Sequence, residues 1–461
     1  MASNLGHRLH SLCWQVHQPS SPLVFISRSM KNWKKKILMR EDLKEKVIEY
    51  AGKHQHQEER IYSWGCAATG ALGIASYLKP GKGQNPIYQQ PRPALVKFFY
   101  KSDIKPYLVS CGYGFTLYAV KSAKGLQLLG TGINTNSQLG SHEVPRNSGR
   151  YLDYIIQPLS VDLPLNKPLS TRARHIGCGR AHTVIIMEDA GVFSLGNNSY
   201  GQCCRPVVDG EDYRRNPLVN HIENIPEEVA QVWCGQDHTI FISKSGKLYS
   251  CGLGADGQTG LGHYNSVSTP TLVKGDIEGE KIVSVHGKGD CVLAVSDKGQ
   301  LFGWGNSEYN QLAMVTNENQ INIPRHLPVN GCGHIIKAVA GGSICAVLND
   351  KGQVFVWGYG ILGKGPALSS SSTPTQIPET LFGRSEIHPN IKVTEIDCGL
   401  DHFVACTDQG YLYSWGHSRQ GCLGLGADND QYFPFQVSLP AEVRMVACGV
   451  DHTVALCKPF C

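Results

Sequence analysis

Acidic residues are missing from the first forty positions, long apolar runs are missing throughout, and aromatic residues make up only 8 % of the 461. Each scarcity excludes something. No stretch approaches the ~18–20 consecutive apolar residues of a membrane-crossing helix, so a helical span is excluded. A charged fraction of 18 % beside 41 % hydrophobic residues excludes a disordered or coiled-coil chain. Glycine is plentiful instead. With 51 glycines and 24 prolines the chain must turn often, which favours an all-β fold over long helices. Seventeen scattered cysteines, an odd number, fit free thiols better than a secreted disulfide framework.

Charge is unevenly placed. Seven of the 43 Lys/Arg lie in residues 1–40 (Arg8, Arg28, Lys31, Lys34, Lys35, Lys36 and Arg40), leaving 36 against 38 Asp/Glu elsewhere, a net of −2. The body therefore lacks the global basic excess of a general nucleic-acid binder, and only local patches could attract a polyanion. The leader, basic and serine-containing with interspersed apolar residues, resembles a mitochondrial presequence; a secretory signal is disfavoured because its longest apolar run, Pro22 to Ile26, is too short. A basic arm for nucleic acid is the alternative. Residues 41–59 read as a charged linker or short helix.

From residue 60 onward the chain repeats. A strand ending in glycine recurs seven times, at Gly65, Gly132, Gly196, Gly252, Gly305, Gly358 and Gly416, with a period of about 58 residues. A second anchor recurs with it: Cys111-Gly112, Cys178-Gly179, Cys234-Gly235, His286-Gly287, Gly341-Gly342 (with Gly341 in register), Cys398-Gly399 and Cys448-Gly449. Between the anchors run hairpins such as Thr183–Ile186 and Val192–Leu195 around a glycine turn, and each period has room for four strands. The first strand anchor lacks a preceding Cys-Gly, and the last Cys-Gly lacks a following strand anchor. That mismatch predicts a ring of seven blades, residues 60–461, in which the strand at residues 60–65 completes a blade begun by residues 443–456.

The pattern Cys178-Gly179-Arg180-Ala181-His182-Thr183, together with Gly257-Gln258-Thr259-Gly260-Leu261-Gly262, resembles the regulator of chromosome condensation repeat over roughly residues 60–457. With the acid-free leader, the chain is most similar to a mitochondrial member of that family. The resemblance implies a seven-bladed β-propeller and a regulatory rather than covalent activity: guanine-nucleotide exchange on the dynamin-related GTPase of inner-membrane fusion. It also implies association with mitochondrial large-subunit ribosomal RNA and pseudouridine synthases, and peripheral contact with the inner membrane on the matrix side. A non-catalytic RNA or protein scaffold is the alternative reading.

Three motifs look chemical. Gly252-Leu253-Gly254-Ala255-Asp256-Gly257 matches a dinucleotide fingerprint, and the stretch from Gly358 to Gly363-Lys364-Gly365 matches a phosphate loop except at its last position. Both fill the turn slot that every repeat has, so they read as turns. The pairs Cys178/His182, Cys234/His238, Cys398/His402 and Cys448/His452 have zinc-compatible spacing, yet each belongs to a different blade. No nucleophile–base signature stands out, and no cofactor or metal is expected. Function then falls to the loops that vary between repeats. Those after Gly65 and Gly132 are longest, 47 residues to the next anchor glycine. Residues 77–106 read as a Pro-, Gly- and Lys-rich loop. Residues 142–158 hold the candidate partner loop Arg146, Arg150, Tyr151, Asp153 and Tyr154, and Arg205, Arg214 and Arg215 form the candidate RNA patch.

Overall fold

Apolar, β-branched hairpins separated by glycine turns fold into seven four-stranded antiparallel sheets. The computed structural model describes residues 59–101, 104–145 and 147–459; the leader, nearly all of the charged linker, and Arg146 lie outside them. In chain order, blade 1 spans residues 105–160, blade 2 173–222, blade 3 229–272, blade 4 282–327, blade 5 335–376 and blade 6 393–436. In blades 2 to 6 every residue of the second strand is buried, as in His182–Met187. Both faces of that strand pack on neighbouring blades, which is why the sequence there runs continuously apolar instead of alternating. Fourth strands form the outer edge and are polar or half-exposed, as in Gln431–Gln436.

A closing blade joins the two ends of the described chain. Its strand order is Gln89–Leu95, Arg60–Cys66, His452–Pro459, Ala441–Cys448. Arg60 pairs with Cys457, Tyr62 with Ala455, Trp64 with Thr453 and Gly65 with His452, as the repeat mismatch predicts. The sequence reading needs one correction. Residues 77–106 are not a single loop, because Gln89–Leu95 supplies the outer strand and Lys97–Lys101 a short helix. Pro91 and Pro93 concealed that strand, and they are tolerated because it is an edge.

Adjacent blades are stapled by buried side chains. Nε2 of His182, His402 and His452 sits 3.0, 3.1 and 2.9 Å from the hydroxyl of Thr239, Thr453 and Thr116 in the next blade. Each threonine hydroxyl donates onward to a backbone carbonyl, so the imidazole Nε2–H is the donor. The indole N–H groups of Trp64, Trp304 and Trp357 likewise donate to Cys422, Gln258 and Gln311 in the preceding blade. These contacts absorb the motifs that looked chemical. The four histidines line blade seams instead of converging, and among the described residues no group of three or more His, Cys, Asp or Glu could hold a metal ion. No helix follows either glycine-rich stretch: Gly260 packs on Trp304 and Gly363 on Trp415.

Candidate functional site

Antiparallel topology sorts every connection to one of two ends. The turn from first to second strand and the loop from third to fourth strand emerge together, at the loop face; second-to-third hairpins and interblade linkers emerge at the opposite, hairpin face. Two of the longest loop-face connections, residues 134–153 of blade 1 and 197–219 of blade 2, are neighbours.

The blade 1 loop folds back on itself. Val144 N–H donates to Arg150 O at 2.9 Å, Leu152 N–H to His142 O at 3.0 Å, and Glu143 bridges Tyr151, which pairs residues 142–144 with 150–152 as the two arms of a small β-hairpin. Glu143 accepts the Gly149 N–H at its tip, and Arg150 is exposed there. The two candidate groups meet at this point. Arg214 forks onto Asp153, donating from Nε to Oδ1 at 2.9 Å and from Nη2 to Oδ2, and the pair holds the Asp153 carboxyl below its usual range. The Arg215 guanidinium lies 5.4 Å from the Tyr151 ring centroid. Arg205 belongs elsewhere: it forks onto Glu211 at 2.9 and 2.6 Å, with both side chains largely covered, so its charge is neutralised inside its own loop. The three arginines are therefore not a patch of free cations. Two of them buttress the hairpin, and Tyr154 stands exposed at its base.

Around the axis the same face is polar. Arg180 pairs with Asp237 at 2.5 Å and Arg419 with Asp401 at 2.7 Å, while Asp290 accepts amide N–H groups from Gln258 and Gln236 at 3.1 and 3.3 Å. Burial, with Asp256 and Asp237 nearby, pushes the Asp290 carboxyl up to about 6. Beneath lies a cross-axis brace. The Lys288 ammonium of blade 4 donates to Cys111 O of blade 1 and Cys448 O of the closing blade at 2.8 and 2.6 Å. His286 Nδ1 accepts the Ala340 N–H, which leaves the Nε2 proton facing Asp397 of blade 6 at 3.2 Å. Burial opposes charge on Asp397, but the His286 bond and nearby cations outweigh it and hold the carboxyl at about 2. This brace grows from the one anchor, His286-Gly287-Lys288, in which histidine replaces the cysteine or small residue of the other blades.

One feature escaped the sequence reading. Each blade exposes a tyrosine at its loop-face end: Tyr154, Tyr200, Tyr264, Tyr309, Tyr359 and Tyr432 in blades 1 to 6 and Tyr88 in the closing blade, all 37–59 % exposed. Tyr309 and Tyr359 stack at 6.0 Å between centroids. Their offsets from the preceding strand glycine run from 1 residue at Tyr359 to 23 at Tyr88, so only the folded loops bring them to one face.

The sequence pattern described as the regulator of chromosome condensation (RCC1) repeat matches residues 58–119, 245–295, 298–348, 351–406 and 409–456, and a second pattern for the same repeat matches 173–202, 229–258 and 393–422. A human protein named RCC1-like G exchanging factor-like protein is 48 % identical over 90 % of this chain and 90 % of its own length; the mouse protein of that name is 47 % identical over the same shares. The crystal structure of human WBSCR16 superposes with a TM-score of 0.81 at 48 % identity, covering 87 % of this chain and all of that one. Yeast RCC1, at 18 % identity, superposes with a TM-score of 0.70 over 88 % of this chain and 90 % of its own, a likeness of fold.

Proposed function

The chain belongs to the RCC1 repeat family, and from that premise we propose that it is a regulatory propeller that promotes nucleotide exchange on a mitochondrial GTPase through its loop face. The observation that carries this reading is the 142–152 hairpin, a projecting element held rigid at its base by Arg214 on Asp153 and Arg215 on Tyr151. Exchange requires no covalent step. A partner surface accelerates nucleotide release by binding the nucleotide-free state more tightly than the loaded one, and a pre-organised hairpin loses little entropy in doing so. The tyrosines that the blades expose at the same face supply the residue type that concentrates binding energy at protein interfaces. The names borne by the human and mouse relatives point the same way.

The dynamin-related GTPase of inner-membrane fusion is the partner to test first. Wild-type protein is expected to speed GDP release, and deleting residues 147–153 to reduce that stimulation at least tenfold while leaving the melting temperature within a few degrees. Stimulation untouched by the deletion, or absent with every mitochondrial GTPase tried, overturns the proposal. Matrix residence is supported by the acid-free leader, and fusing residues 1–40 to a reporter tests it: a cytosolic or nuclear reporter contradicts it. Association with large-subunit ribosomal RNA and pseudouridine synthases is a second reading, favoured by exposed Arg150 and Arg215, which enter no ion pair among the described residues, and by the Tyr151 ring beneath Arg215. Its test is the R150A/R215A double variant, expected to weaken RNA retention and flatten its salt dependence.

A further inference from the structure

The hairpin face carries a built pocket that partner binding on the loop face leaves unused. Between blades 1 and 2 the linker of residues 161–172 arches over a cavity of about 210 Å³. Its apolar wall is made by Leu126 and Leu128 from blade 1, Leu163, Leu165 and Leu169 from the linker, and Met187 from blade 2, while Gln127, Ser160, Thr171 and the Asp162 carboxylate line the rest. The linker is fastened in place. Leu126 N–H donates to Leu169 O at 2.8 Å, and Gly125, in a left-handed conformation with φ 110°, lets the two backbones approach so closely that any Cβ there would collide with that carbonyl. Leu169 is half exposed at the mouth.

Five cations lie on the segments that border this pocket, beside residues that line it. Lys121 pairs in register with Leu126, Lys105 lies directly opposite Lys121, Lys124 sits in the adjoining turn, and Lys167 and Arg172 come from the linker itself. Arg172 lies 4.8 Å over the ring of Tyr107, which also lines the pocket. All five are exposed and none joins an ion pair among the described residues. The acids nearby are Asp162, which accepts the Ser160 hydroxyl at 2.6 Å, and Glu188. Among the described residues none of the five cations is paired with an acid, and lysines placed directly opposite each other disfavour the strand pair that holds them. Several cations of blades 3 and 4 at this face are paired instead: Lys244 has Glu228, Lys247 has Glu227, Lys298 has Glu280 and Arg325 has Asp276.

We propose that this pocket binds a single-chain anionic amphiphile, a long-chain carboxylate of the fatty-acid class, with its aliphatic tail among the leucines and its head on Lys124, Lys167 and Arg172. The apolar walls favour burial of methylenes, and the unpaired cations supply the potential that an anionic head requires. Two blades and the linker line the cavity, which is half open to solvent and at about 210 Å³ is sized for one chain and not for a patch of bilayer. This site is independent of nucleotide exchange, and failure of either proposal leaves the other standing.

The test is titration of dodecanoate, kept below micelle formation, into the full chain, followed by calorimetry and by the carbon-13 signal of the Met187 methyl. Saturable 1:1 binding that shifts Met187 is expected. The K124E/K167E variant should bind at least tenfold more weakly with an unchanged melting temperature, and dodecanol should bind at least tenfold more weakly than dodecanoate. No saturable binding, or binding that leaves Met187 unshifted and ignores the charge reversal, overturns the proposal. Capture of anionic phospholipid vesicles without binding of monomeric dodecanoate overturns it in favour of a membrane-facing surface.

Discussion

At the scale of single residues, the blade seams depend on a donor meeting an acceptor one blade away. His238 occupies the same slot as His182, His402 and His452, but the residue that should receive its N–H in blade 4 is Val292, and both His238 ring nitrogens are buried without a partner. Replacing Val292 with threonine provides the missing acceptor. Its hydroxyl would itself have the Gln258 carbonyl to donate to, the one already bonded by Trp304. Val292→Thr is therefore expected to stabilise the fold by ~1 kcal/mol in urea denaturation, and to lose that gain in a His238→Ala background. Asp290 makes the opposite kind of prediction. Its carboxyl, raised to about 6 by burial, keeps a proton between pH 4 and 6 that the unfolded chain has released, so stability falls as pH rises through that window. Asp290→Asn should remove the fall, gaining ~1–3 kcal/mol at pH 7 and nothing below pH 4. Equal gains at both pH values would refute the assignment.

At the scale of elements, the strand Arg60–Cys66 joins chain segments nearly four hundred residues apart in sequence. Trp64 on this strand is wholly buried, and its indole donates to Cys422 O in blade 6 at 2.8 Å. Trp64→Ala leaves a large cavity and removes one of the two donors on the Cys422 carbonyl, the Thr453 hydroxyl remaining, with an expected cost of ~3–5 kcal/mol in thermal or chemical unfolding. A cost no larger than that of an exposed loop substitution would show that the closing blade holds without it. The 142–152 hairpin is coupled in a similar way to the neighbouring loop. Arg214→Ala removes the fork on Asp153, and limited proteolysis should then cut within residues 142–153 several times faster while cleavage elsewhere is unchanged. These two elements differ in legibility. The closing strand shows in the sequence because the repeat anchors fall out of step at the ends. The hairpin does not, since its pairing is two backbone bonds in a loop with no apolar alternation.

At the scale of the whole molecule, neutral buried histidines set the response to acid. Burial lowers His182 and His452 to about 3 and His238 and His402 to about 4, against 6.5 in the unfolded chain. Below pH 6.5 the unfolded state takes up protons that the folded seams refuse. Their contribution to stability is full above pH 6.5 and is lost as pH falls toward 4, at ~1.4 kcal/mol per pH unit for each histidine. Unfolding midpoints measured from pH 7 to pH 4 should therefore drop steeply, and His182→Gln should lessen the slope by about one proton. An unchanged slope would show that this histidine is not held neutral. The His286–Asp397 contact tightens the same ring across its axis. Asp397, held at about 2, stabilises the fold above pH 4 and loses that effect only as pH falls toward 2.

Sequence alone determined the all-β class, the sevenfold repeat and the closure of the ring, because each rests on spacing: strand glycines, Cys-Gly anchors and hairpin turns recur at intervals that local backbone geometry imposes. It also determined that the glycine-rich stretches are turns, since their register in the repeat leaves no room for a helix. Tertiary structure alone decided which charges are free. Arg205, Arg214, Lys121 and Lys124 look alike in a sequence, yet the first two meet carboxylates brought in by loop folding and the last two meet none among the described residues. The set of loop-face tyrosines, the Lys288 brace and the pocket beneath residues 161–172 are decided there too. Each assembles side chains from different blades, and such contacts depend on distances that exist only once the ring has closed.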